Sequence, residues 1–214
     1  MKKLAFILLV FPAILSAQTP EEVLQKAVKY HDPMGEWKSL KATFIFSETR
    51  PDGEDRKTIL ELDNSKNWHK INRNDEEIYE VNSQGKVRIV KGDGSEDRAK
   101  TLRSYYVFLW GLPMKLMRAN TPIQPKVLSQ KIDGLDCHGV VVRYDEETYT
   151  FFFAKENYRM LAYQFYRNDD SGFGELIKLK GELMVGSMKI PQERSWYELP
   201  ENKYLGSDII AEAK

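Results

Sequence analysis

The stretch TYTFFFAKENYRMLAYQFYRND, Thr148 to Asp169, restricts the possible folds more than any other part of the chain. It reads as two strands joined by a polar turn at Lys155, Glu156 and Asn157. Neither strand alternates apolar and polar residues as one wetted on a single face would. Tyr149, Phe151 and Phe153 share one face by period 2, and Phe152 and Ala154 share the other. Beyond the turn, Tyr158, Met160, Ala162 and Tyr166 fall on one side and Leu161, Tyr163 and Phe165 on the opposite one. A hairpin apolar on both faces needs cover on both: a curved sheet closing over one, and a helix or neighbouring strand over the other.

The rest of the chain is compatible with that demand. TPEEVLQKAVKYHDP carries the marks of a helix: Thr19 as N-cap, Pro20 at the first helical position, Glu22 completing a capping box, and Pro33 as a stop. Val23, Leu24, Ala27, Val28 and His31 form its apolar stripe. From Ser39 the period becomes 2. Leu40, Ala42, Phe44 and Phe46 alternate with polar residues, RPDGED turns, and KTILELD returns. Further short strands are predicted at 67–72, 78–81 and 87–90, with polar turns between them. A helical stripe, Ala99, Leu102, Tyr105, Tyr106, Leu109 and Trp110, interrupts the meander until Gly111 and Pro113 break it. Strands resume at 127–132 and 137–144, through the opening hairpin, and at 176–184 with a neighbour reaching Ile190. Trp196 and Tyr197 mark a last strand before the polar end ENKYLGSDIIAEAK. No repeat or linker divides the chain. About ten or eleven antiparallel strands with two helical pieces predict an α+β domain whose sheet curls toward a barrel or splits into a sandwich.

The first residues, MKKLAFILLVFPAILSAQ, have a different character. A basic start at Lys2 and Lys3, an apolar run from Leu4 to Leu15 and a small-residue exit predict a signal peptide over 1–17, cut after Ala17. The run is shorter than the roughly 20 apolar residues of a membrane span. No cysteine near the cut would take a lipid anchor, so the expected product, 18–214, is a single soluble domain in a bacterial periplasm. Without Lys2 and Lys3, 30 basic residues face 32 acidic ones, and no basic cluster remains. Nucleic acid is thereby disfavoured as a partner. Cys137 is the only cysteine, so no internal disulfide forms.

Local chemistry is sparse. His31 followed by Asp32 has the form of an oriented base, the feature a hydrolase would use, but both residues also suit the end of a helix. Cys137 and His138 are neighbours in a strand and point to opposite faces; Asp136 shares the face of His138 without a third ligand, so no metal or cofactor is expected. No G-x-S-x-G, P-loop or H-E-x-x-H occurs. The acidic triplets Asp75-Glu76-Glu77 and Asp145-Glu146-Glu147 sit in expected turns. The aromatic load is the stronger signal, since wide curved sheets under a lid commonly enclose an apolar ligand. The residues expected to line such a cavity are Phe44, Phe46, Leu60, Trp68, Tyr106, Trp110, Val142, Phe151, Phe153, Tyr163 and Phe165.

Taken in order, the signal peptide, the capped helix, SLKATFIF, the mid-chain LWGLPMKL, the aromatic hairpin and GSMKIPQERSWY resemble the LolA/LolB-like superfamily of periplasmic lipoprotein carriers and their exported relatives. The resemblance covers nearly all of the chain beyond the signal peptide and is one of order and pattern. It implies an unclosed antiparallel half-barrel with helices as plug and lid, a cavity that accepts acyl chains, and no catalytic residues. The implied partners are a lipid-like molecule or an acylated protein, with transient membrane contact, and the implied state is a monomer. In the carriers an Arg-Pro pair before an early strand helps gate the cavity. The corresponding stretch here, DNSKNWHK, has no arginine. The other readings are an envelope interaction protein with a filled core and a hydrolase using His31 and Asp32.

Overall fold

The computed structural model describes residues 18–214; the predicted signal peptide lies outside them. Helix α1 (Pro20–His31) begins as its sequence dictates. The Thr19 Oγ1 accepts the Glu22 N–H at 3.2 Å, and the Glu22 carboxylate accepts the Thr19 N–H at 3.0 Å. Strands β1 (Lys41–Thr49), β2 (Arg56–Asp63), β3 (Trp68–Arg73), β4 (Glu77–Val81) and β5 (Val87–Lys91) follow as an antiparallel meander. After helix α2 (Glu96–Arg103) and an irregular helical segment to Met117, a second meander is built from β6 (Ile123–Ile132), β7 (Leu135–Arg143), β8 (Glu147–Ala154), β9 (Met160–Arg167) and β10 (Gly174–Lys180). A small separate hairpin, β11 (Leu183–Val185) and β12 (Met188–Ile190), precedes β13 (Glu193–Leu199) and β14 (Lys203–Ala213).

Twelve strands form one open sheet in the order β5-β4-β3-β2-β1-β14-β13-β10-β9-β8-β7-β6. This is the α+β half-barrel, with an N-terminal and a mid-chain helix, that the sequence predicts. The strand count is higher than expected, 14 among the described residues, for two reasons. The predicted strand 176–184 ends at Lys180, where Gly181 turns at φ +64° and starts the small hairpin. The C-terminal end, read as a polar tail, is β14, paired with β1 on one side and β13 on the other. It joins the two meanders. Its inward residues include Asp208 as well as Ile210, and that charge hides the alternation.

The concave face holds two cores. Beneath the first meander, Phe44, Phe46, Leu60, Leu62, Ile71 and Tyr79 pack against Ala99, Leu102, Tyr106, Val107 and Trp110. Beneath the second, Val140, Val142, Phe151, Phe153, Met160, Tyr163 and Ile177 pack against Val23, Leu24 and Ala27 of α1 and against Leu112 and Leu116. One mid-chain segment thus serves both halves of the sheet. It does so by changing pitch: after α2 the helix widens over Ser104–Phe108 and then tightens over Leu109–Gly111. Gly111 permits the close approach, since a Cβ there would collide with the Trp37 ring.

The convex face explains the hairpin. Phe152, Ala154, Leu161 and Ala162 form a third cluster there with Cys137, while Phe151, Phe153, Met160 and Tyr163 face the concave core. A register shift between Phe152 and Phe153 lets Met160 join Tyr163 on the concave side, which strict alternation would forbid. Each buried aromatic or aliphatic side chain contributes roughly 1.5–3 kcal/mol, so both faces stabilise the sheet.

Candidate functional site

A row of charged residues crosses the centre of the concave face where the two meanders meet. Cross-strand pairing sets Arg56 opposite Glu48, Glu48 opposite Asp208, and Asp208 opposite Arg194. Glu48, Asp208 and Arg194 are almost completely buried. Two carboxylates side by side need bridging cations and donors. Arg50 supplies one bridge, with Nη2 2.7 Å from Asp208 Oδ1 and 3.6 Å from Glu48 Oε2. The Trp196 Nε1–H donates to Asp208 at 2.7 Å, and the Tyr105 hydroxyl donates to the same carboxylate. Glu48 accepts from Arg56 Nε at 2.9 Å and from the Tyr106 hydroxyl. Burial and then Asp208 push the Tyr105 pKa far up; burial and then Glu48 do the same for Tyr106, so both remain donors.

Arg194 is the exception in this row. Its Nη2 donates to the Leu109 carbonyl, and its guanidinium lies 3.9 Å over the Trp110 ring. Nε and Nη1 have no partner among the described residues. Burial lowers its pKa.

Beside this row a cleft of about 510 Å³ opens along α2 and the widened helical turn. Arg50, Arg56, Arg73 and Arg98 line one part of it, and Leu109, Tyr149, Phe165, Trp196 and Leu205 another. A second cleft of about 1020 Å³ shares Ser104, Leu109 and Tyr149 with the first and runs on past Phe108, Phe151 and the 118–122 loop. Both are of the size that small-molecule sites occupy, roughly 300–1,000 Å³. Tyr105 stacks on Trp196 with centroids 5.0 Å apart, and Tyr149 packs against Phe165 at 5.4 Å, which stiffens the aromatic wall.

The eleven residues expected to line a cavity are distributed over this geometry. Tyr106 and Phe165 border the first cleft and Phe151 the second. Phe44, Phe46, Leu60, Tyr106 and Trp110 surround a gap with no room for a water molecule. Val142, Phe153 and Tyr163 lie in the second core. Trp68 is on the opposite face of β3 from the buried His69 and donates its indole N–H to Glu80 at 3.0 Å. Arg50, Arg56, Asp208 and Trp196 escaped sequence reasoning. The first two belong to or flank a polar turn, and Asp208 gains meaning only from its pairing with Glu48.

His31 and Asp32 hold backbone. The Lys189 carbonyl lies 2.6 Å from His31 Nδ1, the Met160 N–H donates to Nε2 at 3.0 Å, and burial lowers the imidazole pKa. Asp32 accepts the N–H groups of Glu36 and Trp37 at 2.7 and 3.0 Å. Neither imidazole nitrogen is left to act as a base. His138 stacks on Tyr158, and among the described residues no three His, Cys, Asp or Glu are placed to hold a metal ion.

Solved structures similar to this fold include the LolA superfamily protein NE2245 from Nitrosomonas europaea, with TM-score 0.57 and 11% identity over 92% of this chain and 94% of that one. A domain from Vibrio parahaemolyticus assigned to outer membrane lipoprotein sorting aligns with TM-score 0.55 and 9% identity over 90% of each chain. A DUF1329 family protein from Desulfovibrio piger ATCC 29098 aligns with TM-score 0.51 and 10% identity over 92% of this chain and 93% of that one. The fold is therefore LolA-like. No curated protein matches the sequence. Over residues 2–213 the sequence matches DUF6503, a family of unknown function, and the chain belongs to that family.

Proposed function

We propose that this protein is an exported, soluble binding protein of the periplasm, a single domain over 18–214, that holds a lipid or other amphiphile on the concave face of its half-barrel. The observation that carries the reading is the cleft beside α2, about 510 Å³ in volume and walled on one side by Leu109, Tyr149, Phe165, Trp196 and Leu205. Four of these side chains are half-buried and Trp196 is buried, and a concave apolar wall with a few convergent polar groups beside it is the usual lining of a small-molecule site. No helix among the described residues is long and apolar enough to cross a membrane, and a LolA superfamily protein and a lipoprotein-sorting domain share the fold. In this reading the molecule is a monomer whose partner is a lipid-like molecule or an acylated protein, met through transient membrane contact, and it performs no catalysis. Lifting the segment 104–117 would add Phe44, Phe46, Leu60, Trp110, Val142, Phe153 and Tyr163 to the ligand space as a deeper wall.

Gentle extraction of the natively exported protein followed by mass spectrometry, with displacement of a fluorescent fatty-acid analogue as a second readout, tests this. Phe165→Ala removes about 60 Å² of ligand contact at ~25 cal/mol per Å², which costs about 1.5 kcal/mol and weakens binding roughly tenfold. A protein that copurifies with no lipid and displaces no probe overturns the reading. The filled gap under Trp110 then favours the other reading, an envelope interaction protein that works through its rim.

A further inference from the structure

The cleft has two chemically different ends, and the proposed amphiphile has to satisfy both. We infer that the ligand's head group is anionic, a carboxylate or phosphate held by Arg56, Arg73 and Arg98 while its chain lies along Leu109, Tyr149 and Phe165. This rests on the reading of the cleft as an amphiphile site.

The three guanidinium groups come from β2, β3 and α2, and all line the same cleft. Only two carboxylates stand behind them. Glu77 accepts from Arg73 Nη1 at 2.7 Å, from Arg98 Nε at 3.0 Å and from the Tyr79 hydroxyl at 2.8 Å. Glu48 accepts from Arg56 Nε at 2.9 Å and from the Tyr106 hydroxyl. One positive charge is left over at this end, and Asp208 does not offset it because it is paired with Arg50 at 2.7 Å. Donors are left over too. Each guanidinium carries five N–H groups. Among the described residues Arg56 uses its Nε alone, and the buried Arg73 Nε has no partner, in a residue that is 9% exposed as a whole.

An unmatched guanidinium donor beside a cleft is satisfied best by a fork-shaped oxyanion, which accepts two parallel N–H bonds. Among the described residues the one carboxylate lining the cleft, Glu175, stands on β10 opposite Phe165 in the ladder, away from the arginine strands. The arginines come from β2, β3 and α2 and the aromatic wall from β8, β9 and β13, a separation that matches an acyl chain with an acidic head. A neutral or cationic head group would leave the excess donors unmatched.

Competition against a fluorescent apolar probe, with chain-matched palmitate, hexadecanol, hexadecylammonium and a lysophosphatidate, tests this on the purified full chain; inorganic phosphate serves as the chain-free arm. One charge-assisted hydrogen bond is worth about 1.5–3 kcal/mol, so palmitate or the lysophosphatidate should displace the probe at concentrations at least about tenfold lower than hexadecanol. Added salt should narrow the gap. The double variant Arg56→Gln, Arg98→Gln should bring palmitate close to hexadecanol while hexadecanol binding persists; Arg98→Lys should keep part of the preference, and Arg88→Gln, outside the cleft, all of it.

Thermal unfolding and near-UV circular dichroism check that the variants fold. If the double variant does not fold, Arg98→Gln alone decides, because Arg98 is partly exposed on α2 and its loss leaves Glu77 with Arg73 and Tyr79. Equal displacement by palmitate and hexadecanol in the native protein overturns the head-group assignment and leaves the amphiphile reading standing. Displacement by no chain-bearing compound overturns both. Phosphate acting as strongly as the lysophosphatidate overturns the joint site in favour of a free-anion site.

Discussion

His69 shows how a single residue records the charge of its surroundings. It is buried on β3, its Nε2 has no partner among the described residues, and burial, then Arg103 and Lys115, pull its pKa from 6.5 to about 4. As pH falls, the unfolded chain binds a proton at about 6.5 that the folded chain refuses until about 4. Stability is therefore complete above pH ~6.5 and declines between there and pH ~4, by up to roughly 3 kcal/mol from this residue. His31, whose pKa burial also lowers, acts in the same direction. Glu77 follows at lower pH: against the upward push of burial, hydrogen bonds from Arg98, Tyr79 and Arg73 hold it at about 2. Urea unfolding at about pH 7 and pH 5 should show the midpoint falling with acid, and His69→Leu should flatten that slope. Nothing in the heptapeptide NWHKINR announces this behaviour; it arises first because the fold buries the ring and then because α2 and the following turns bring Arg103 and Lys115 near it.

Among the elements, those coded by local rules are the ones legible in the sequence. The capping box of α1, the RPDGED turn between β1 and β2 and the aromatic strands β8 and β9 all stand where period and turn chemistry put them. The elements that departed from expectation answer to distant partners. The mid-chain helix changes pitch because it must reach two cores, and β14 is a strand because β1 and β13 offer it two open edges. A chain ending at Asn202 removes β14 and leaves the two meanders without their shared strand. It should lose cooperative unfolding altogether, read as a flat urea curve by near-UV circular dichroism, whereas Thr19→Ala should cost only about 1 kcal/mol.

At the scale of the whole molecule, the seam between the meanders decides both stability and the candidate site. Asp208 ties β14 to Arg50, to Trp196 of β13 and to Tyr105 of the mid-chain segment. Asp208→Ala strands a guanidinium, a hydroxyl and an indole N–H, and should cost about 3–5 kcal/mol in urea unfolding, much more than breaking the exposed Lys100–Asp97 pair. Apolar periodicity and caps, being local, are enough to read an antiparallel sheet with an oily inner face, an N-terminal helix and a mid-chain cover from the sequence, while barrel or sandwich stays open and only the LolA/LolB-like resemblance implies the half-barrel. The sequence also marked Tyr106, Phe151 and Phe165 as candidate lining, through their aromatic character alone. Tertiary structure decided that the hairpin's second face covers Cys137 and that the deepest aromatics fill their own space. It also decided that four arginines scattered from position 50 to 98 share one cleft. Cross-strand register sets a side chain's neighbours, and register here depends on a C-terminal strand pairing with the first one across the length of the chain.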